Sequence, residues 1–116
     1  EWYNERIDEL IGLEKPYIHP NTTRMSWFVY VVRCQASVNR NRLMQYLHEH
    51  DIPSRPYFTP IHLQPFYREK FGWKAGDLPQ TERAGETFLA LPFSSVMTED
   101  QVEIVCENLR TGIAER

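Results

Sequence analysis

Glycine, cysteine and long apolar runs are scarce in this 116-residue sequence, and each shortage removes a class of function. Its five glycines are scattered, so there is no Gly-rich loop to cradle a phosphate and no Gly-x-Ser-x-Gly nucleophile elbow. Two cysteines, Cys34 and Cys106, are too few for a disulfide framework and read as small core residues in a reduced, cytoplasmic protein. No apolar stretch approaches the roughly 20 residues that cross a bilayer, and no secretory signal leads the chain, so a membrane is not an expected partner. Cationic charge is also short: 13 Lys+Arg face 16 Asp+Glu, a net charge of −3, without the basic face that nucleic acid demands.

What remains is an ordinary globular composition, 41% hydrophobic with 13% aromatic residues. Residues 1–116 make a single domain, and folding at this length buries roughly two-thirds of the unfolded chain's surface, enough for a core. Tyr3, Ile7, Leu10 and Ile11 recur at helical spacing over 2–11, up to Gly12. Nothing ahead of Glu1 caps that helix, so the first residue is expected to lie within a helix of a longer protein. Ser26 to Cys34 is β-branched and aromatic on both faces, which predicts a strand covered on both sides. A helix over 38–50, capped by Ser37 or Asn39, presents Leu43 and Leu47 inward.

Between Asp51 and Pro65 the sequence changes character. Four of the eight prolines lie there, excluding regular helix and leaving room for a short edge strand at Arg55 to Phe58. Six of the fifteen aromatics fall between Tyr57 and Trp73, a density that requires a surface to pack against. Leu63 to Phe71 is expected as a short helix closed by Gly72, and Thr81 to Leu89 as another, with Phe88–Leu91 passing into a strand ended by Pro92. Thr98 to Gln101 is a capping box, and Val102, Val105 and Leu109 follow on one helical face. The fold class is therefore α/β or α+β: a small sheet packed against helices.

His62 is the titratable group of most interest. It sits between Pro60 and Pro65, beside Arg55 and Tyr57, where a stiff backbone can aim an imidazole that donates or accepts near neutral pH. The plain alternative is a loop histidine bonded to a carbonyl. His48 and His50 are two apart, not four, and face different ways, so a metal pair is not expected. Glu82 and the other glutamates of the later helices read as solvated faces, and Lys15, Lys70 and Lys74 lack the apolar shell that tunes a catalytic amine. No complete catalytic set emerges.

Five segments occur in a familiar order: Ser26-Trp27-Phe28-Val29-Tyr30-Val31-Val32; Arg55-Pro56-Tyr57-Phe58-Thr59-Pro60-Ile61-His62-Leu63-Gln64-Pro65-Phe66-Tyr67; Leu78-Pro79-Gln80-Thr81-Glu82; Leu89-Ala90-Leu91-Pro92-Phe93; and Met97-Thr98-Glu99-Asp100-Gln101. In this order they resemble the C-terminal small domain of the DegT/DnrJ/EryC1/StrS aminotransferases, enzymes of the aspartate-aminotransferase fold type. The resemblance implies a full-length protein that uses pyridoxal 5'-phosphate to move an amino group from a donor, commonly glutamate, to a nucleotide-linked keto sugar. It also implies a large domain that supplies the Schiff-base lysine and most of the cofactor site, and a homodimer with sites near the interface. Within these 116 residues the resemblance places no catalytic, cofactor or metal residue. It makes His62 and Tyr57 candidate substrate contacts, with Arg55 and Phe58 as second choices. The same domain could serve a sugar dehydratase or a regulatory homologue. Outside the family, the aromatic stretch would suit an autonomous binding or interaction domain.

Overall fold

Alternation decides which face of the central strand is buried: Tyr30, Val32 and Cys34 point inward, Val31 is half-buried and Arg33 is exposed. The structure is a computed structural model describing residues 2–57, 59–94 and 96–114. Along the chain it runs α1 (Trp2–Ile7), β1 (Leu13–Glu14), β2 (Tyr30–Cys34), α2 (Arg40–Glu49), β3 (Arg55–Pro56), a 3-10 turn (Ile61–Leu63), α3 (Pro65–Phe71), α4 (Pro79–Thr87), β4 (Phe88–Leu91) and α5 (Glu99–Ala114). The sheet is antiparallel throughout, in the order β1-β2-β4-β3. Its two edges are two-residue strands, one containing Pro56, and such short edges offer little backbone for another strand to pair with.

One face of the sheet carries the core. Val32 pairs with Leu89 and Tyr30 with Leu91 across the β2–β4 ladder, and all four are buried. Ile7, Leu43, Leu47, Val105 and Leu109 close over them from α1, α2 and α5. Tyr3 stacks on Tyr30 with ring centroids 4.7 Å apart, and its hydroxyl donates to the Pro92 carbonyl at 2.6 Å. The Tyr30 hydroxyl donates to Asn4 Oδ1 at 2.6 Å, so burial of both phenols is matched by partners. Burial drives both hydroxyls well above their ordinary ionisation range, and pushes the thiols of Cys34 and Cys106 up to about 11. As expected, both cysteines are core residues rather than reactive thiols.

The opposite face is less covered than the sequence suggested. Arg33 reaches sideways to Glu14 at 2.6 Å, while the 14–17 segment flanks Val31 and α4 lies beside Arg33 and Phe88. The expected strand over 26–34 is also shorter, because β4 is four residues long and pairs no further than Tyr30. Trp27 instead packs its ring near Tyr30, while Phe28 is 78% exposed. The first helix ends at Ile7, leaving Ile11 exposed, and Gly12 makes the turn into β1, a strand the sequence did not announce. The helix expected over 81–89 starts earlier, with Pro79 in its first turn, and stops where Phe88 enters the sheet.

Local caps follow the sequence closely. Asn39 Oδ1 accepts the Arg42 amide at 3.1 Å, fixing the start of α2. Thr98 and Gln101 form the reciprocal capping box, with the Thr98 amide donating to Gln101 Oε1 at 3.0 Å and the Gln101 amide to Thr98 Oγ1 at 3.2 Å. Gly12 is required twice over: its φ is +106°, and a Cβ there would lie 2.6 Å from Val38 Cγ2. Gly12→Ala is expected to lower unfolding stability by roughly 1–3 kcal/mol, read as a shifted urea midpoint. An unchanged midpoint would show that the turn relaxes freely.

Candidate functional site

The sequence after β3 leaves the core and returns to it, and the candidate site lies in that excursion. Prolines at 53, 56 and 60 exclude regular helix ahead of the 3-10 turn, which carries His62 in a buried position. α3 then follows with no buried residue. Phe66 and Phe71 are 61% and 60% exposed, and the α3 rings stack largely on one another, with Lys70 over both phenylalanines. The loop after Gly72 turns back through Gly76, whose φ is +96°, into α4.

Where the excursion closes, His62 meets Glu82. The histidine is 6% exposed and the Glu82 side chain 17%, with His62 Nε2 3.2 Å from Glu82 Oε2. The same carboxylate accepts the Gly76 amide on both oxygens, at 2.9 and 3.0 Å, and the Leu78 amide at 3.1 Å. These donors, the Gly76 amide foremost, hold the Glu82 carboxyl below the ordinary glutamate range. Glu82 is therefore not the solvated helix residue the sequence suggested. Its signal was present but ambiguous: a glutamate in the first turn after a proline lies next to free helix N–H groups.

His62 is one wall of a cleft of about 500 Å³. Tyr57, Ile61, Tyr67, Trp73, Leu78 and Phe88 supply most of its apolar lining, and the Trp73 ring stands edge-on to His62 with centroids 6.0 Å apart. The structure thus joins His62 and Tyr57 in one cleft. Arg55 is exposed on the β3 edge and does not line it, and Phe58 lies outside the described residues. A larger groove of about 650 Å³ runs between Ile52, Pro92, Met97 and Ile104, but no buried ionisable side chain lines it. His62 is bonded to a carboxylate, not to a carbonyl as the plain alternative supposed.

The other candidates resolve simply. His48 Nε2 donates to the Ser54 carbonyl at 3.0 Å and His50 Nδ1 to the Tyr46 carbonyl at 2.9 Å. Among the described residues no cluster of His, Cys, Asp or Glu could hold a metal ion, and no helix is long and apolar enough to cross a membrane. Among the described residues no lysine lines the cleft: Lys15 pairs with Asp8 at 2.7 Å, Lys70 covers the α3 rings, and Lys74 is on the exposed loop. The side chains lining this cleft therefore do not fit the Schiff-base half of a pyridoxal phosphate site.

The profile of the DegT/DnrJ/EryC1/StrS aminotransferase family matches residues 1–110. The chain belongs to this family. It is 30% identical over 112 residues to the spore coat polysaccharide biosynthesis protein SpsC of Bacillus subtilis, covering 93% of this chain and 28% of SpsC. The aminotransferase TlmJ of Streptoalloteichus hindustanus superposes with a TM-score of 0.82 at 30% identity, over 97% of this chain and 29% of TlmJ. A GDP-4-keto-6-deoxy-D-mannose-3-dehydratase of E. coli, solved with bound hydrated PLP, shares the fold at a TM-score of 0.75 and 18% identity, over 93% of this chain and 28% of its own. The chain thus spans under a third of the length of these relatives. The family is one of aminotransferases, and the α+β architecture here is that of the matching part of TlmJ.

The carboxylate network sets a pH expectation. Because Glu82 titrates lower folded than unfolded, it stabilises the 72–78 loop above the ordinary glutamate range, and this is lost as pH falls through the depressed value. Hydrogen-exchange protection at the Gly76 and Leu78 amides should therefore drop in acid while Val32 and Leu89 stay protected. His62 and Asp77, the ionisable neighbours of the loop, are to be followed in the same titration. Protection at Gly76 and Leu78 that persists into strong acid would remove Glu82 from this role.

Proposed function

We propose that this chain is the C-terminal small domain of a PLP-dependent enzyme that transfers an amino group, with glutamate as donor, to a keto sugar carried on a nucleotide. The observation that supports it most is a buried, hydrogen-bonded histidine set among aromatic walls in a chain of this family. A sugar ring can lay its apolar face on Tyr57 or Trp73 while a polar group meets His62. In this reading His62 contacts a sugar hydroxyl or a diphosphate oxygen and Tyr57 forms the adjoining wall, with Phe58 a second-choice contact on the family motif alone. Arg55, outside the cleft on the β3 edge, would pair with a phosphate or brace the loop.

The cofactor, when bound to the complete enzyme, supplies the electron sink for amino transfer. The residues of this chain bind and orient the acceptor and exclude water; the lysine chemistry belongs to the large domain, and the 116 residues alone would be inactive. The exposed rings of α3 would then pack on that large domain or on the second subunit of a homodimer. The same exposed rings favour a second reading, an autonomous domain docking another protein. A dehydratase or regulatory homologue would use the same small domain, and the residue at the Schiff-base position of the large domain discriminates among them.

The two half-reactions of the complete enzyme separate the roles. His62→Ala is expected to lower kcat/KM for the nucleotide sugar by about tenfold, the worth of one good hydrogen bond, and to leave the donor half-reaction unchanged. Equal loss in both halves would move His62 off the sugar side. A complete protein without the cofactor absorbance would favour the docking domain.

A further inference from the structure

An ionised carboxylate can only accept hydrogen bonds, and Glu82 already accepts the amides of Gly76 and Leu78. The contact from Glu82 Oε2 to His62 Nε2 at 3.2 Å therefore requires the proton on Nε2. In the neutral ring this fixes the tautomer: Nδ1 carries the lone pair and is the nitrogen left for a ligand. Glu82 also ties down the loop that carries Trp73, whose ring stands edge-on to His62 at 82°. One side chain thus sets both what the histidine offers and where the neighbouring aromatic wall stands. The carboxylate comes from α4 and the histidine from the 3-10 turn twenty residues earlier, so the pairing is made by the fold and not by local sequence.

We propose that Glu82 is a positioning residue that holds His62 as the Nε2–H tautomer, so that Nδ1 accepts a hydrogen bond from a hydroxyl of the sugar bound in the Tyr57–Trp73 cleft. This rests on the reading of the cleft as the nucleotide-sugar site and narrows it. A hydroxyl donates to Nδ1, whereas a diphosphate oxygen, an acceptor, is refused by a lone pair. His62 therefore reads the carbohydrate and not the diphosphate, and the cleft discriminates a sugar nucleotide from the free nucleotide.

Two measurements on the complete enzyme test this. The first is the 15N spectrum of histidine-labelled enzyme, with His62→Ala identifying the signals. Wild type is expected to show a protonated Nε2 and a bare Nδ1 at His62, and Glu82→Gln a mixture of tautomers, with the Val32 and Leu89 amides unchanged as the control for folding. A protonated Nδ1 in neutral wild-type enzyme overturns the proposal whether or not the variant folds, as does a folded Glu82→Gln with the wild-type pattern. The second is the affinity of UDP-glucose compared with UDP. His62→Ala and Glu82→Gln should each weaken UDP-glucose by about tenfold and leave UDP unchanged. Equal weakening of both ligands places His62 on the diphosphate and overturns the hydroxyl assignment. If neither ligand is weakened while the tautomer is as expected, the carbohydrate reading of the cleft fails and Glu82 retains only the tautomer.

Discussion

The β2–β4 ladder is the constraint on which the rest of this molecule hangs. β4 has only four residues, yet it pairs with β2 on one side and β3 on the other, and its Leu89 and Leu91 lie in the core. It also follows α4 with no intervening loop, so fixing the strand fixes the helix. Arg40, at the start of α2, fastens this junction by donating to the carbonyls of Gly85 and Phe88. Once α4 is placed, Glu82 is placed, and the excursion from Arg55 to Leu78 must close upon it. The cleft is in this sense a consequence of the sheet, although its His62–Glu82 contact joins two residues outside the sheet.

That dependence explains which parts of the molecule could be read from the sequence. The amphipathic seam of α5, its capping box, the Leu43–Leu47 pair of α2 and the strand around Val32 announce themselves through spacing alone, because each is decided by neighbours within one or two turns. β1 could not be read this way. Leu13 and Glu14 have no alternation of their own and become a strand only because Cys34 and Arg33 lie opposite. Ser26 to Val29 misled in the other direction: strong β-formers remained outside the sheet for want of a partner strand.

The site divides along the same line. Proline spacing pointed to His62 and the family resemblance added Tyr57, and both line one cleft. Glu82 was hidden, because on its own helix it has the pattern of a solvated glutamate, and its partners Gly76 and His62 are supplied by the return of the loop. Arg55, a second choice on the family motif, is exposed on the β3 edge and stands outside the cleft, since neighbours along an extended edge turn to alternate faces.

A buried histidine beside a carboxylate is also a common structural device, and its meaning depends on what surrounds it. In a closed core the pair would only satisfy two polar groups at a desolvation cost. Here the imidazole has one nitrogen held by the fold and its ring on the wall of an apolar cleft, while the carboxylate is saturated by amides of the loop that bears the facing tryptophan. The pair therefore couples a hydrogen-bonding choice to the position of an aromatic surface, as a carbohydrate site requires, since a sugar offers an apolar face and directed hydroxyls together. Lys15, Lys70 and Lys74 do not line this cleft, so what the chain supplies there is an apolar surface with one directed imidazole–carboxylate pair.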